Sequence, residues 1–234
     1  MSKQKFGAEY FAGYRGTNMP WREFARQHLG VTPKVPALLK AVRLAKPDAR
    51  ILDVGCGLGG LLEQLESLRD DVNTYGIDLG TPPQFRSRGI LLRGNVLRLP
   101  FADNSFDIVT CAHMLEHLQD PHLAVTELVR VCRPGGTIYL ETPSPRATLL
   151  PFGFNFWDDP THVRPHSKTS LLNLLETSAC VPMACGTKKS LPAILLGLPY
   201  MLLGHFLNDP QARVLFPLYA FGCVVWAMGK KNAP

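Results

Sequence analysis

What this chain of 234 residues lacks narrows the field first. Its six cysteines (56, 111, 132, 180, 185, 223) contain no CxxC pair and sit mostly in apolar segments. That argues against a disulfide framework and predicts reduced core thiols in a cytoplasmic protein. The formal charge is a moderate +6, with basic residues scattered apart from Lys188-Lys189 and Lys230-Lys231. No basic-plus-aromatic run occurs, so no nucleic-acid partner is expected. No apolar run reaches the ~20 uninterrupted residues that cross a bilayer. The opening MSKQKFGAEYFAGYRG has no apolar h-region, which predicts no signal peptide.

What is present reads as one domain over 1–234, large enough to bury a full core. Residues 1–47 read as an N-terminal helical cap, aromatic at Phe6, Tyr10, Phe11, Tyr14, Trp21 and Phe24. Its aromatics either close over a bound cofactor or dock on the outer face. Residues 48–143 alternate strand and helix with short links, which predicts a doubly wound α/β fold with a mostly parallel sheet. Residues 144–190 hold a loop rich in Pro, aromatics and His, then a helix and a strand. Residues 191–222 form an apolar helical insert before the last strand.

The stretch ILDVGCGLGGLL at 51–62 passes from a buried strand through a glycine turn into a helix, the ligand-binding corner of such folds. Gly55, Gly57 and Gly60 satisfy GxGxxG, a weak signal alone. Asp53 separates the alternatives. A carboxylate at the edge of a low-dielectric crevice is costly unless it meets a cation or several donors. It would repel a pyrophosphate and attract an ammonium. Asp78 ends the next strand, 18 residues after Gly60, near the distance at which an acid meets a ribose. A ligand with an ammonium at one end and ribose hydroxyls at the other would use both acids. S-adenosylmethionine is such a ligand.

The run DVGCGLG with Asp78, then LPFADNSFDIVTCAHMLEHLQDP and ELVRVCRPGGTIYLETP, resembles the class I S-adenosylmethionine-dependent methyltransferases. The likeness is to the small-molecule group that includes the quinone methyltransferases, and it covers about residues 48–143 well. It implies a Rossmann-like, seven-stranded sheet, six strands parallel and one antiparallel. It also implies that Asp53 and the backbone of Gly55, Cys56, Gly57 and Gly59 hold the methionine part. Asp78 would take the ribose hydroxyls and Leu79 would pack on the adenine. Asn95, beside Val96, stands where the family often has an acid facing the adenine amine, and its amide carbonyl can accept instead. Cys111 and His113 would flank the sulfonium and methyl.

A base is needed only if the acceptor must lose a proton. The crowded WDDPTHVRPH at 157–166 resembles a segment of bacterial methyltransferases associated with cell-surface polysaccharide synthesis. His162 is the candidate base, oriented by Asp159, with Arg164 for an acidic group. The alternative is that His162 and Arg164 only tie down the loop. No metal site is expected, since His162 and His166 find no further ligands of usable spacing.

The expected acceptor is a small or lipid-linked molecule: a sugar or polysaccharide precursor first, a quinone-like ring second. A non-catalytic cofactor-binding protein and a nicotinamide dehydrogenase are the competing classes. The run LPAILLGLPYMLLGHFL at 191–207 reads either as a packed lid or homodimer surface, or as a peripheral anchor at the inner face of the membrane. The flanking lysine pairs would favour anionic lipid.

Overall fold

The computed structural model describes residues 35–80, 87–150, 155–189 and 221–233, with the single positions 195, 199, 202 and 206. The aromatic stretch of the expected cap and most of the apolar insert lie outside these.

Seven strands form one sheet: β1 (Arg50–Val54), β2 (Asn73–Asp78), β3 (Ile90–Arg93), β4 (Phe106–Ala112), β5 (Cys132–Pro143), β6 (Cys180–Lys188) and β7 (Val224–Lys231). Their order is β3-β2-β1-β4-β5-β7-β6. The strands from β3 across to β5 pair in parallel, whereas β7 runs antiparallel to both β5 and β6. The doubly wound, mostly parallel sheet expected from the sequence is therefore present.

Helices α1 (Pro36–Arg43), α2 (Gly60–Glu66), α3 (Pro121–Val131) and α4 (Lys168–Thr177) cover its faces. Alternation along each strand sorts the core into two layers. Leu52, Val54, Val109, Cys111 and Leu140 pack with α3 and α4, while Ile51, Ile108 and Tyr139 pack with α1 and α2. The Arg133-Pro134-Gly135-Gly136 turn is absorbed into β5. The pairing with β4 jumps from Phe106↔Cys132 to Ile108↔Thr137, and Gly135 takes φ +69° there. Asp120 caps α3 by accepting from the backbone N–H groups of His122 and Leu123.

The strand order reverses between β1 and β4, and the crevice of such a sheet lies beyond the carboxyl ends of its strands at that point. A separate apolar groove lies at the other end, between α1 and β6–β7, with Leu44, Arg133 and Met183 among its walls. In the insert, Leu195, Pro199, Leu202 and Phe206 are helical, and their spacing puts them on one face. Leu195, Leu202 and Phe206 are exposed. No helix among the described residues is long and apolar enough to cross a membrane.

Candidate active site

Three positive-φ glycines, Gly55 (+75°), Gly57 (+50°) and Gly59 (+78°), turn the chain from β1 into α2. Gly55 is doubly constrained, because a Cβ there would also meet the Met114 side chain at 2.9 Å. That contact locks the glycine corner onto the segment after β4. The N–H groups of Gly55 and Cys56 are held by the Ile77 carbonyl of β2.

Asp78 stands at the tip of β2. It accepts from Gly57 N at 3.0 Å and Gly80 N at 2.9 Å, so it joins the corner to its own loop. Asp53 is 3% exposed on the neighbouring strand. Its one hydrogen-bond partner among the described residues is the Thr110 hydroxyl, at 2.7 Å across the β1–β4 pair. Burial pushes its carboxyl up to about 7; the Thr110 bond opposes this, and the charges of Asp78 and Glu141 add to it. A cation delivered to this spot would relieve both the burial and the repulsion. These residues fit S-adenosylmethionine at its charged end: Asp53 would take the ammonium, and Asp78 lies one strand away. Leu79 is half exposed at the rim, Val96 is buried, and the Asn95 amide oxygen accepts from Leu97 N at 3.0 Å.

Two expectations change. Cys111 does not flank the crevice. The alternation of β4 places it on the face opposite Thr110, fully buried against α3 and α4. Burial holds its thiol well above the ordinary range, as it does for Cys56. Lys188 is not a surface charge either. It turns inward and its Nζ donates to Glu141 Oε1 at 2.9 Å.

Glu141 was missed by the sequence reading, although a glutamate inside TIYLETP carries the same signal as Asp53: a charge within an apolar strand. It also accepts from the Tyr139 hydroxyl and faces His113 Nε2 at 3.1 Å. Burial acts against its charge, but Lys188, His113 and Tyr139 outweigh that and hold the carboxyl at about 2. His113 follows β4 with φ +53°, a left-handed conformation costly for this residue type. Its Nδ1 looks toward Glu116 Oε1 at 3.6 Å. Burial disfavours the imidazolium, yet the two glutamates push the pKa up to about 9.

On the far side of Glu116 lies the second histidine group. His162 Nδ1 donates to the Phe156 carbonyl, its ring stacks on Phe156, and its Nε2 is 3.8 Å from Asp159 Oδ2. The ring is thus held by the Phe156 carbonyl, while Asp159, bonded to Thr161, stands near it without a hydrogen bond. Thr161 donates to Asp159, so its oxygen must accept from His117 Nδ1. Arg164 donates to the Gln119 carbonyl, and the N–H of Val163 to that of Glu116. These bonds stitch the 155–166 loop to the turn after β4. Glu116, His117 and His162 each bring a potential donor atom within 4.8 Å of the other two, and all three are already hydrogen-bonded inside the protein.

Residues 52–140 match a family model described as a methyltransferase domain. That stretch is a methyltransferase domain, set on the seven-stranded sheet described above. The chain is 37% identical over 126 residues to a demethylmenaquinone methyltransferase of Roseiflexus sp. (strain RS-1), covering 50% of this chain and 53% of the relative. It is 37% identical over 110 residues to a ubiquinone biosynthesis O-methyltransferase of Hahella chejuensis, covering 43% and 45%. The chain thus spans about half the length of the curated relatives it matches. Among solved structures, geranyl diphosphate C-methyltransferase from Streptomyces coelicolor A3(2), in complex with Mg2+, geranyl diphosphate and S-adenosyl-L-homocysteine, superposes with a TM-score of 0.61 at 18% identity. It covers 83% of this chain and 77% of that one, a likeness of fold.

Proposed function

We propose that this methyltransferase moves a methyl group from S-adenosylmethionine to an oxygen of a small or lipid-linked acceptor. The observation that carries the reading is Asp53, a buried carboxylate short of partners beside a glycine turn, with Asp78 at the adjoining strand tip. The cofactor supplies an electrophilic methyl on a sulfonium. The protein's share is alignment and exclusion of water. Asp53 anchors the ammonium, Asp78 the ribose hydroxyls, and the Gly55–Met114 contact fixes the distance between the cofactor corner and the segment after β4. The 155–166 loop bounds the acceptor side.

For the acceptor, the sugar-precursor reading rests on the DPTHVRP segment, whereas a quinone-like ring gains support from the names of the two curated relatives. Calorimetric titration with S-adenosylmethionine tests the first half. Binding should occur, and Asp78→Ala should weaken it by about 1–3 kcal/mol, the worth of a charged hydrogen bond. A wild-type protein that takes up NAD and no S-adenosylmethionine would overturn the reading. An acceptor screen with labelled cofactor, read by mass spectrometry on phenol, quinol and sugar panels, tests the second half.

A further inference from the structure

The surroundings of His113 narrow the acceptor further, on the basis of the function proposed above. Both ring nitrogens look at buried carboxylates, Nε2 at Glu141 and Nδ1 at Glu116. A neutral imidazole would have to aim a lone pair at one of them, so the geometry asks for two N–H donors. The charged groups facing the ring are Glu116 from the turn after β4 and Glu141 from β5, the latter also bound by Lys188 of β6 and by Tyr139. The two nitrogens lie 3.1 Å and 3.6 Å from their carboxylate oxygens, both within ion-pair reach. The ring is nearly half exposed, so an acceptor oxygen can approach it beside Glu116.

We infer that His113 is a fixed cationic anchor positioned by Glu141, and that the acceptor oxygen meets it as an anion, which makes the substrate a phenol or enol rather than an aliphatic alcohol. A histidine that already carries both protons cannot take one from a hydroxyl. The acceptor must then shed its proton to solvent on binding. A phenol, ionising near ~10 in free solution, can do so beside a positive charge, whereas a sugar hydroxyl is far less acidic. The positive φ of His113 fits this role, since the ion pairs to Glu141 and Glu116 hold the ring in a conformation a free loop would leave.

The test uses the full chain, S-adenosylhomocysteine and the chromophoric phenol 4-nitrocatechol, whose visible spectrum reports its ionisation. In the presence of S-adenosylhomocysteine, the wild type should bind the probe as the anion at a pH where the free probe is largely neutral. His113→Gln should bind it about tenfold more weakly and leave it neutral. His113→Lys, which keeps the charge, should restore part of the ionisation. Glu141→Gln should shift the His113 ring nitrogen resonances toward the neutral imidazole and reduce the ionisation, a readout that a merely structural glutamate would not move. Probe bound in its neutral form by the wild type, or bound equally by His113→Gln, would overturn the inference. So would binding of S-adenosylhomocysteine with no uptake of the probe, an outcome that leaves the proposed methyl transfer standing. Failure to bind S-adenosylhomocysteine at all would remove both.

Discussion

Asp53 and Asp107 are both buried acids of the central strands, and they lie at opposite ends of the sheet. Asp107, at the start of β4, accepts from Arg50 N at 2.9 Å and from Arg133 Nε, and pairs with Lys46 at 3.2 Å. Asp53, at the end of β1, has the Thr110 hydroxyl alone among the described residues. Burial works against both charges. At Asp107 the Arg50 N–H, Lys46 and Arg133 outweigh it and hold the carboxyl below its ordinary value, while at Asp53 burial wins. A satisfied buried charge is a pin of the fold. One left short of donors marks where a ligand is meant to supply them.

The sharpest way to break this comparison is to neutralise each acid and measure folding and cofactor binding separately. Asp53→Asn should lower S-adenosylmethionine affinity by about 1.5–3 kcal/mol, the value of a charge-assisted hydrogen bond, with thermal stability unchanged or raised. Asp107→Ala should do the reverse. Stability should fall by about 1–3 kcal/mol because Arg50 N–H loses its acceptor, with cofactor affinity kept. The figure stays modest because Lys46 and Arg133 can rehydrate where they stand. Parallel titrations and thermal melts of the two variants decide it. A loss of stability in Asp53→Asn equal to that in Asp107→Ala would erase the distinction.

The pH dependence should carry the same contrast at about 1.4 kcal/mol per unit. Asp53 binds its proton more tightly folded than unfolded, so its contribution to stability without ligand is highest below about 4 and is lost as pH rises through about 7. Asp107 has a lowered folded value, so its contribution is present above the ordinary carboxylate range and lost in acid. An ammonium ligand needs Asp53 ionised. S-adenosylmethionine affinity should therefore fall about tenfold per pH unit below about 7, and the slope should vanish in Asp53→Asn. Calorimetry at several pH values reads this directly.

The two ends also differ in how far the sequence reveals them. The fold was legible because apolar strands, glycine turns and a proline-led helix repeat on a parallel-sheet rhythm. Asp53 and Asp78 were legible because each sits at a fixed offset from the glycines. The acceptor side was not. Glu141 and Lys188 are 47 residues apart and meet only because β6 reaches β5 through β7. The charge on His113 likewise depends on Glu116 and Glu141, which come from different elements. Helix faces follow residue type less closely than strands do: Leu123 of α3 is exposed, while Ala124, Val125 and Leu128 pack. Cys111 went astray for a simpler reason, since the residues expected around the cofactor were taken as a run where strand alternation sends neighbours to opposite faces.

The smallest effect, and the finest division between pin and ligand contact, belongs to Asn95. Its amide oxygen accepts from Leu97 N, a side-chain turn of the kind asparagine favours, in an exposed loop after β3. The family resemblance asks the same oxygen to accept from the adenine amine, and a carbonyl with two lone pairs can serve both. If it does, Asn95→Ala should weaken cofactor binding by about 0.5–1 kcal/mol and cost a similar amount of stability, because one deletion removes two bonds. Asn95→Asp keeps an acceptor for each and should hold affinity at or above that of the wild type. If Asn95→Ala lowers stability alone, Asn95 stands with Asp107 as part of the scaffold, and the adenine end of the cleft is left to Leu79 and the Val96 backbone.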